Sequence, residues 1–170
     1  AAFIASKGIP VVGIDVNQDA VDSINAGKVP FFEPGFGELL ARVVNEGTLT
    51  AQTEQIEANA YILCVPTPFR EDHSVDPKYI RAAAEALAPH LKPGALVVLE
   101  STSPPGTTED MAKNLVELRP DLSLNDEDDN AIFIAHCPER VLPGKIMEEM
   151  ENNDRVIGGL TPKGAQLARD

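Results

Sequence analysis

Ile9-Pro10-Val11-Val12-Gly13-Ile14-Asp15-Val16 is a short apolar, β-branched run with an acid, Asp15, near its end. Such a run, too short for a helix, is of the kind that forms a strand buried on both faces of a parallel sheet. Just before it, Ala1-Ala2-Phe3-Ile4-Ala5-Ser6-Lys7-Gly8 reads as the last turns of a helix closed by glycine, with no initiator Met and no capping residue ahead of the apolar positions. The chain is therefore expected to be an internal fragment. On the other side, residues 18–26 are predicted helical and stop at Gly27, Pro34 and Gly35 punctuate a loop, and Phe36 to Asn45 predict a second helix ending at Gly47. Thr48 to Thr53 predict a short strand.

The alternation continues outward. Ala60-Tyr61-Ile62-Leu63-Cys64-Val65 predicts a second buried strand, stopped by Pro66-Thr67-Pro68, because two prolines forbid continued pairing. A polar loop containing His73 leads to Asp76-Pro77, a cap and first-turn signal for a helix through about Leu91. Lys92-Pro93-Gly94 then turns the chain into a strand over Ala95 to Glu100, and a helix is predicted from Thr107 to about Leu118. Asp126-Glu127-Asp128-Asp129 reads as a solvated loop, Ala131 to Ala135 as an apolar strand, the region near Val156 as another strand, and Thr161-Pro162 as a helix start. Buried-type strands alternating with helices predict an α/β fold: a doubly wound, Rossmann-type parallel sheet. Its first strand and glycine-rich loop are expected to be absent from the chain.

Composition narrows the function classes. The 170 residues, 43% hydrophobic and 24% charged, suit one domain with a sizeable core. A net charge of -13 disfavours nucleic acid as a partner, because backbone binding needs clustered Lys and Arg. No apolar run approaches the roughly 20 residues that span a bilayer, so no membrane role is expected and a cytoplasmic location follows by default. Cys64 and Cys137 end apolar runs outside any metal-binding spacing and are expected to be buried, reduced thiols, with no metal site. His73, His90 and His136 have no partner at ligand or triad spacing and are expected at a loop, a helix end and a strand end.

The candidate site residues follow strand ends, where open α/β sheets bind ligands. Asp15 is placed to accept hydrogen bonds from adenosine ribose hydroxyls and to repel a 2′-phosphate; a turn-forming Asp is the plainer reading. Thr67, fixed between two prolines, suits a cofactor phosphate or the nicotinamide side, although a sharp turn explains it equally well. Glu100-Ser101-Thr102-Ser103-Pro104-Pro105-Gly106-Thr107-Thr108 brings hydroxyls to a helix start, which suits an anion, a positioned water or simple capping. Glu139 next to Arg140 offers a general base and a phosphate- or sugar-binding guanidinium, or else a surface ion pair.

Taken in order, Gly13-Ile14-Asp15-Val16-Asn17, Cys64-Val65-Pro66-Thr67-Pro68, Glu100 to Thr108 and Cys137-Pro138-Glu139-Arg140-Val141-Leu142-Pro143-Gly144 resemble the UDP-glucose/GDP-mannose dehydrogenase family over essentially the whole chain. The last stretch, together with Asn153-Asp154-Arg155-Val156-Ile157-Gly158-Gly159, looks like the branch of that family acting on UDP-N-acetyl-D-mannosamine in surface polysaccharide biosynthesis. The resemblance implies that residues 1–170 are an NAD-binding domain fragment. The central helix and the domain carrying the UDP-sugar site and the catalytic Cys and Lys would lie outside it. It implies oxidation of the sugar C6 alcohol to the uronic acid with two NAD, through a cysteine thiohemiacetal and thioester, in a homodimeric parent whose fragment alone is inactive and holds NAD weakly. By position, Asp15 would hold the ribose, Thr67 and Thr102 would line the nicotinamide and diphosphate side, Glu139 would orient or deprotonate water, and Arg140 and Val141 would contact the UDP-sugar. Pro143 stands where glucose-specific members have a second acid. Two other readings stay open: a β-hydroxyacid or 6-phosphogluconate type of dehydrogenase, against which Thr67-Pro68 and Pro138-Glu139-Arg140 argue, and a non-catalytic nucleotide-binding module.

Overall fold

Gly8, Gly27, Gly47 and Gly94 close helices or turns at positive φ ahead of the strands or loops that follow, which is where the chain was expected to break. The computed structural model describes residues 1–29, 33–72 and 74–170; His73 lies outside the described residues. The chain divides into two compact units, residues 1–55 with 140–153 and residues 56–139 with 154–170.

The first unit holds α1 (Ala2–Ala5), β1 (Val11–Ile14), α2 (Gln18–Asn25), α3 (Phe36–Asn45) and β2 (Leu49–Gln52). β1 and β2 pair in parallel, Val11 opposite Leu49 through Ile14 opposite Gln52. Ala2, Ala5, Leu39, Leu40, Val43 and Leu49 form the core, one apolar stripe of each helix laid on the strand. The Asn25 side chain closes a pair of 2.8 Å hydrogen bonds with the backbone of Ala51, donating to its carbonyl and accepting from its N–H. That amide occupies the place of a neighbouring strand and blunts the β2 edge.

The second unit holds β3 (Ala60–Leu63), α4 (Lys78–Leu87), β4 (Leu96–Leu99), α5 (Thr107–Leu118), β5 (Phe133–His136) and, near its end, a two-residue strand and a helix. Its sheet runs β3-β4-β5 in parallel. Val97, Leu99, Ile132 and Ile134 face Ile80, Leu87, Met111 and Leu115 on one side, whereas Val98, Ala135 and Cys137 pack with Ile157 and Ala168 on the other. Helices therefore cover both faces of the central strands, as a doubly wound sheet requires.

Four local readings are corrected. β1 is half-buried throughout, and β3 alternates, with Tyr61 and Leu63 inside while Ile62 is 47% exposed. Each also ends its sheet among the described residues, so its outer edge has no strand partner there. The helix before β4 stops at Leu87, because Pro89 turns the expected last turn into a tight 3₁₀ turn over Ala88–His90. A helix, α6 (Ile146–Asn152), was not expected, and the strand near Val156 is β6 (Gly158–Gly159), which pairs antiparallel to β5. After it, Thr161 accepts a hydrogen bond from Gly164 N–H and caps α7 (Pro162–Arg169) as its Thr-Pro signature predicts.

Candidate functional site

Because β3, β4 and β5 are parallel and in register, with Leu63 opposite Leu99 and Leu99 opposite His136, their carboxyl ends deliver Cys64, Glu100 and Cys137 to one edge. The residues beyond that edge form a groove lined by Cys64, Val65, Glu100, Ser101, Thr102 and Glu139. Its floor is tied by backbone: Glu100 N–H donates to the Leu63 carbonyl at 3.0 Å, and Glu139 N–H to the Glu100 carbonyl at 3.3 Å. The Ser101 hydroxyl accepts from Val65 N–H and donates to the Val65 carbonyl, both at 2.8 Å. One side chain thus holds the turn after β3 to the turn after β4, and this hydroxyl is structural rather than a helix cap. Gly106 is the N-cap of α5 and makes no side-chain capping bond.

Two carboxylates reach this groove in different states. Glu100 is engaged through both oxygens, with Oε1 2.6 Å from the Arg155 guanidinium and Oε2 accepting from the Cys64 thiol at 3.0 Å. Burial opposes the Arg155 charge, but hydrogen bonds to Glu100 and Cys137 overcome it and hold the guanidinium above its ordinary value. Glu139 is exposed, and its carboxylate makes no hydrogen bond among the described residues. Glu100 serves as scaffold, and Glu139 has lone pairs for a water or a ligand.

The Cys64 residue is exposed overall, which corrects the expected burial, whereas Cys137 is buried as expected. Partial desolvation of its sulfur, followed by the hydrogen bond to Glu100 and that acid's negative charge, pushes the Cys64 thiol up to about 12. The neutral thiol is a poor nucleophile, since thiolate is the reactive form. Iodoacetamide at pH 8 is expected to label Cys64 far more slowly than an unstructured cysteine, and Glu100→Gln to accelerate it; mass spectrometry reads both. Because the folded value lies above the ordinary 9.0, the native state retains this proton between pH 9 and about 12, and the linked stability falls as pH rises through that window.

Asp15 follows β1 in the first unit, exposed, with Oδ1 held by Asn17 N–H at 2.8 Å. Thr102 and Glu139 line the groove of the second unit, and half-buried Thr67 comes three residues after Cys64 without lining it. Arg140 is exposed and Val141 half-buried, both in the first unit, where exposed Pro143 stands in the same loop. His90 ends the 3₁₀ turn and His136 ends β5, the places read for them. The Glu100–Arg155 pair and the Ser101 tie were missed; the acid ending one strand and the Arg ahead of Gly158-Gly159 were the available signals, meaningful only once the strand register is known.

The sequence model of the UDP-glucose/GDP-mannose dehydrogenase family's NAD-binding domain matches residues 1–170. The chain belongs to this family. UDP-N-acetyl-D-mannosamine dehydrogenase of Salmonella typhi is 51% identical over 164 residues, covering 95% of this chain and 39% of its own. The Campylobacter jejuni enzyme of the same name is 53% identical over 171 residues, covering 99% of this chain and 42% of its own. Among solved structures, UDP-D-ManNAc dehydrogenase of Pyrococcus horikoshii superposes with a TM-score of 0.91 at 38% identity, over 99% of this chain and 40% of that one. The chain thus spans about two fifths of the length of the curated relatives it matches. Family membership accounts for the doubly wound order and for the strand-end turns where the sequence motifs fall.

Proposed function

We propose that the chain is the NAD-binding domain of a longer nucleotide-sugar dehydrogenase that oxidises the C6 alcohol of UDP-N-acetyl-D-mannosamine to the uronic acid for surface polysaccharide. In this reading a further domain carries the UDP-sugar site and the catalytic thiol, and the parent works in the cytoplasm as a homodimer. The observation that carries it is the strand-end groove, with Thr102 and an unengaged Glu139, in a chain about half identical to enzymes of that name. Neither cysteine of this chain serves as the thiol: Cys64 is held neutral and Cys137 is buried against Arg155.

The residues suit NAD. Asp15 is an exposed carboxylate locked at a strand end by its own turn, the arrangement that holds ribose hydroxyls and repels a 2′-phosphate. Thr67 and Thr102 offer hydroxyls on stiff turns for the nicotinamide and diphosphate side. NAD, when bound, supplies the two-electron acceptor for each oxidation step. Glu139 orients or deprotonates the water that releases the acid, and Arg140 and Val141 contact the nucleotide sugar.

The full-length protein is tested by following NADH formation with UDP-N-acetylmannosamine, UDP-glucose and GDP-mannose offered separately, each with NAD and then NADP. Two NADH per UDP-N-acetylmannosamine, with NADP poorly used, is the expected result. Turnover of none of the three sugars would reject the dehydrogenase assignment in favour of a nucleotide-binding module, and preference for another sugar would reject the branch.

A further inference from the structure

Among the described residues one polar side chain is almost wholly withdrawn from water: Glu33, 6% exposed. Taking a carboxylate out of water is costly unless its lone pairs are met. Both oxygens of Glu33 are met by backbone more than a hundred residues downstream, Oε2 by Gly144 N–H at 2.7 Å and Oε1 by Ile146 N–H at 2.8 Å. Ile146 opens α6, so the carboxylate also caps a helix whose first N–H groups would otherwise be unpaired.

The segment that Glu33 grips has little apolar packing of its own. α6 has no buried residue, Leu142 is 62% exposed, and Met147 packs only in part against the core of its unit. Polar ties hold it instead. Glu149 Oε2 accepts from Leu142 N–H at 2.8 Å, Asn153 donates to the Arg140 carbonyl at 3.2 Å, and Lys145 N–H donates to the Leu142 carbonyl at 3.0 Å. Gly144 turns the chain at φ 84°, a conformation the clamp selects by holding the N–H groups on either side of Lys145.

We infer that Glu33 is a positioning residue for nucleotide-sugar recognition, a buried clamp that presets the backbone carrying Arg140 and Val141 before substrate arrives. The inference rests on the reading of Arg140 and Val141 as sugar-nucleotide contacts. A loop with few apolar anchors pays its ordering cost on binding unless something fixes it beforehand, and Glu33 supplies that order from a separate turn of the same unit. Glu33 does not touch the reacting atoms, so its loss should weaken sugar-nucleotide binding more than turnover.

The test uses the full-length enzyme with Glu33→Gln, in which an NH₂ group faces a backbone N–H and one clamp bond is lost. Hydrogen exchange at Gly144 and Ile146 is expected to quicken by about tenfold or more, the scale of one hydrogen bond to a charged group. KM for UDP-N-acetylmannosamine should rise by a similar factor while KM for NAD and kcat stay within a few fold. Glu33→Asp keeps the charge but is one methylene too short to reach both N–H groups, and it should show the same split if the Gln variant folds poorly. Unchanged exchange and unchanged KM, or equal losses toward NAD and sugar, would overturn the positioning role. Arg140→Ala separates the two readings: a raised KM there with an unaffected Glu33→Gln enzyme sinks the clamp alone, and an unaffected Arg140→Ala enzyme sinks the assignment of the loop and the clamp's role in recognition with it.

Discussion

Glu139→Gln in the full-length dehydrogenase is expected to lower kcat by about 10²- to 10⁴-fold, roughly 2.7–5.4 kcal/mol of transition-state stabilisation, with KM for NAD little changed. Two acids reach the groove, and geometry separates them. Glu100 places one oxygen 2.6 Å from Arg155 and the other 3.0 Å from the Cys64 thiol, so both of its oxygens are already bound. Glu139 stands three residues beyond β5 with its backbone N–H fixed to the Glu100 carbonyl and its side chain unengaged among the described residues. The amide variant preserves shape while removing the negative charge and the basic oxygen, so the loss falls on the chemical step. Stopped-flow and steady-state NADH traces check it: a normal burst from both oxidations followed by a stalled release of the acid is the expected signature. A Glu139→Gln enzyme turning over within fivefold of the parent, beside a crippled Glu100→Gln enzyme, would transfer the role to Glu100.

How far the sequence carried the fold depends on how local each cause is. Phe36–Asn45 and Thr107–Leu118 were readable to their end residues because glycine precedes both helices and an apolar stripe repeats along each. Thr102 and Glu139 were readable as strand-end residues because prolines mark where those strands stop, and Asp15 because it is the acid that closes an apolar run. Burial was not local. An apolar run such as Ala60–Val65 looks alike whether one face or two are covered, and only the packing around it puts Tyr61 and Leu63 inside and leaves Ile62 outside.

The helix α6 escaped for a related reason. Ile146-Met147-Glu148-Glu149-Met150-Glu151-Asn152 buries no side chain, so its apolar residues carry no clear period. Its start is set by Glu33, far upstream, and no window around residue 146 contains that cause. The engaged state of Glu100 was hidden likewise, because Arg155 meets it only through the pairing of β4, β5 and β6.

Gly159→Ala is expected to cost about 3 kcal/mol, at the upper end of what one added carbon does in a packed region. The position permits no relaxation by side-chain rotation. A Cβ on Gly159 would lie inside contact distance of Ala165 N, 2.6 Å from the Thr161 carbonyl oxygen and 2.8 Å from Ala165 Cα, all backbone atoms. Gly164, where the added carbon would sit 3.1 Å from the Ile134 carbonyl oxygen, is milder, and its alanine variant should cost about 1 kcal/mol. Both glycines bring α7 against the end of the sheet: β6 pairs Gly159 with Ala135 and Gly158 with His136, the last residue of β5. Displacing β6 therefore loosens the strand end from which Cys137 and Glu139 continue, and Gly159→Ala should lose activity along with stability. Thermal unfolding followed by circular dichroism should show a midpoint lowered by several degrees for Gly159→Ala and a smaller drop for Gly164→Ala. Equal midpoints for the two variants would mean that α7 moves aside freely and that the close backbone approach does not hold β5 in place.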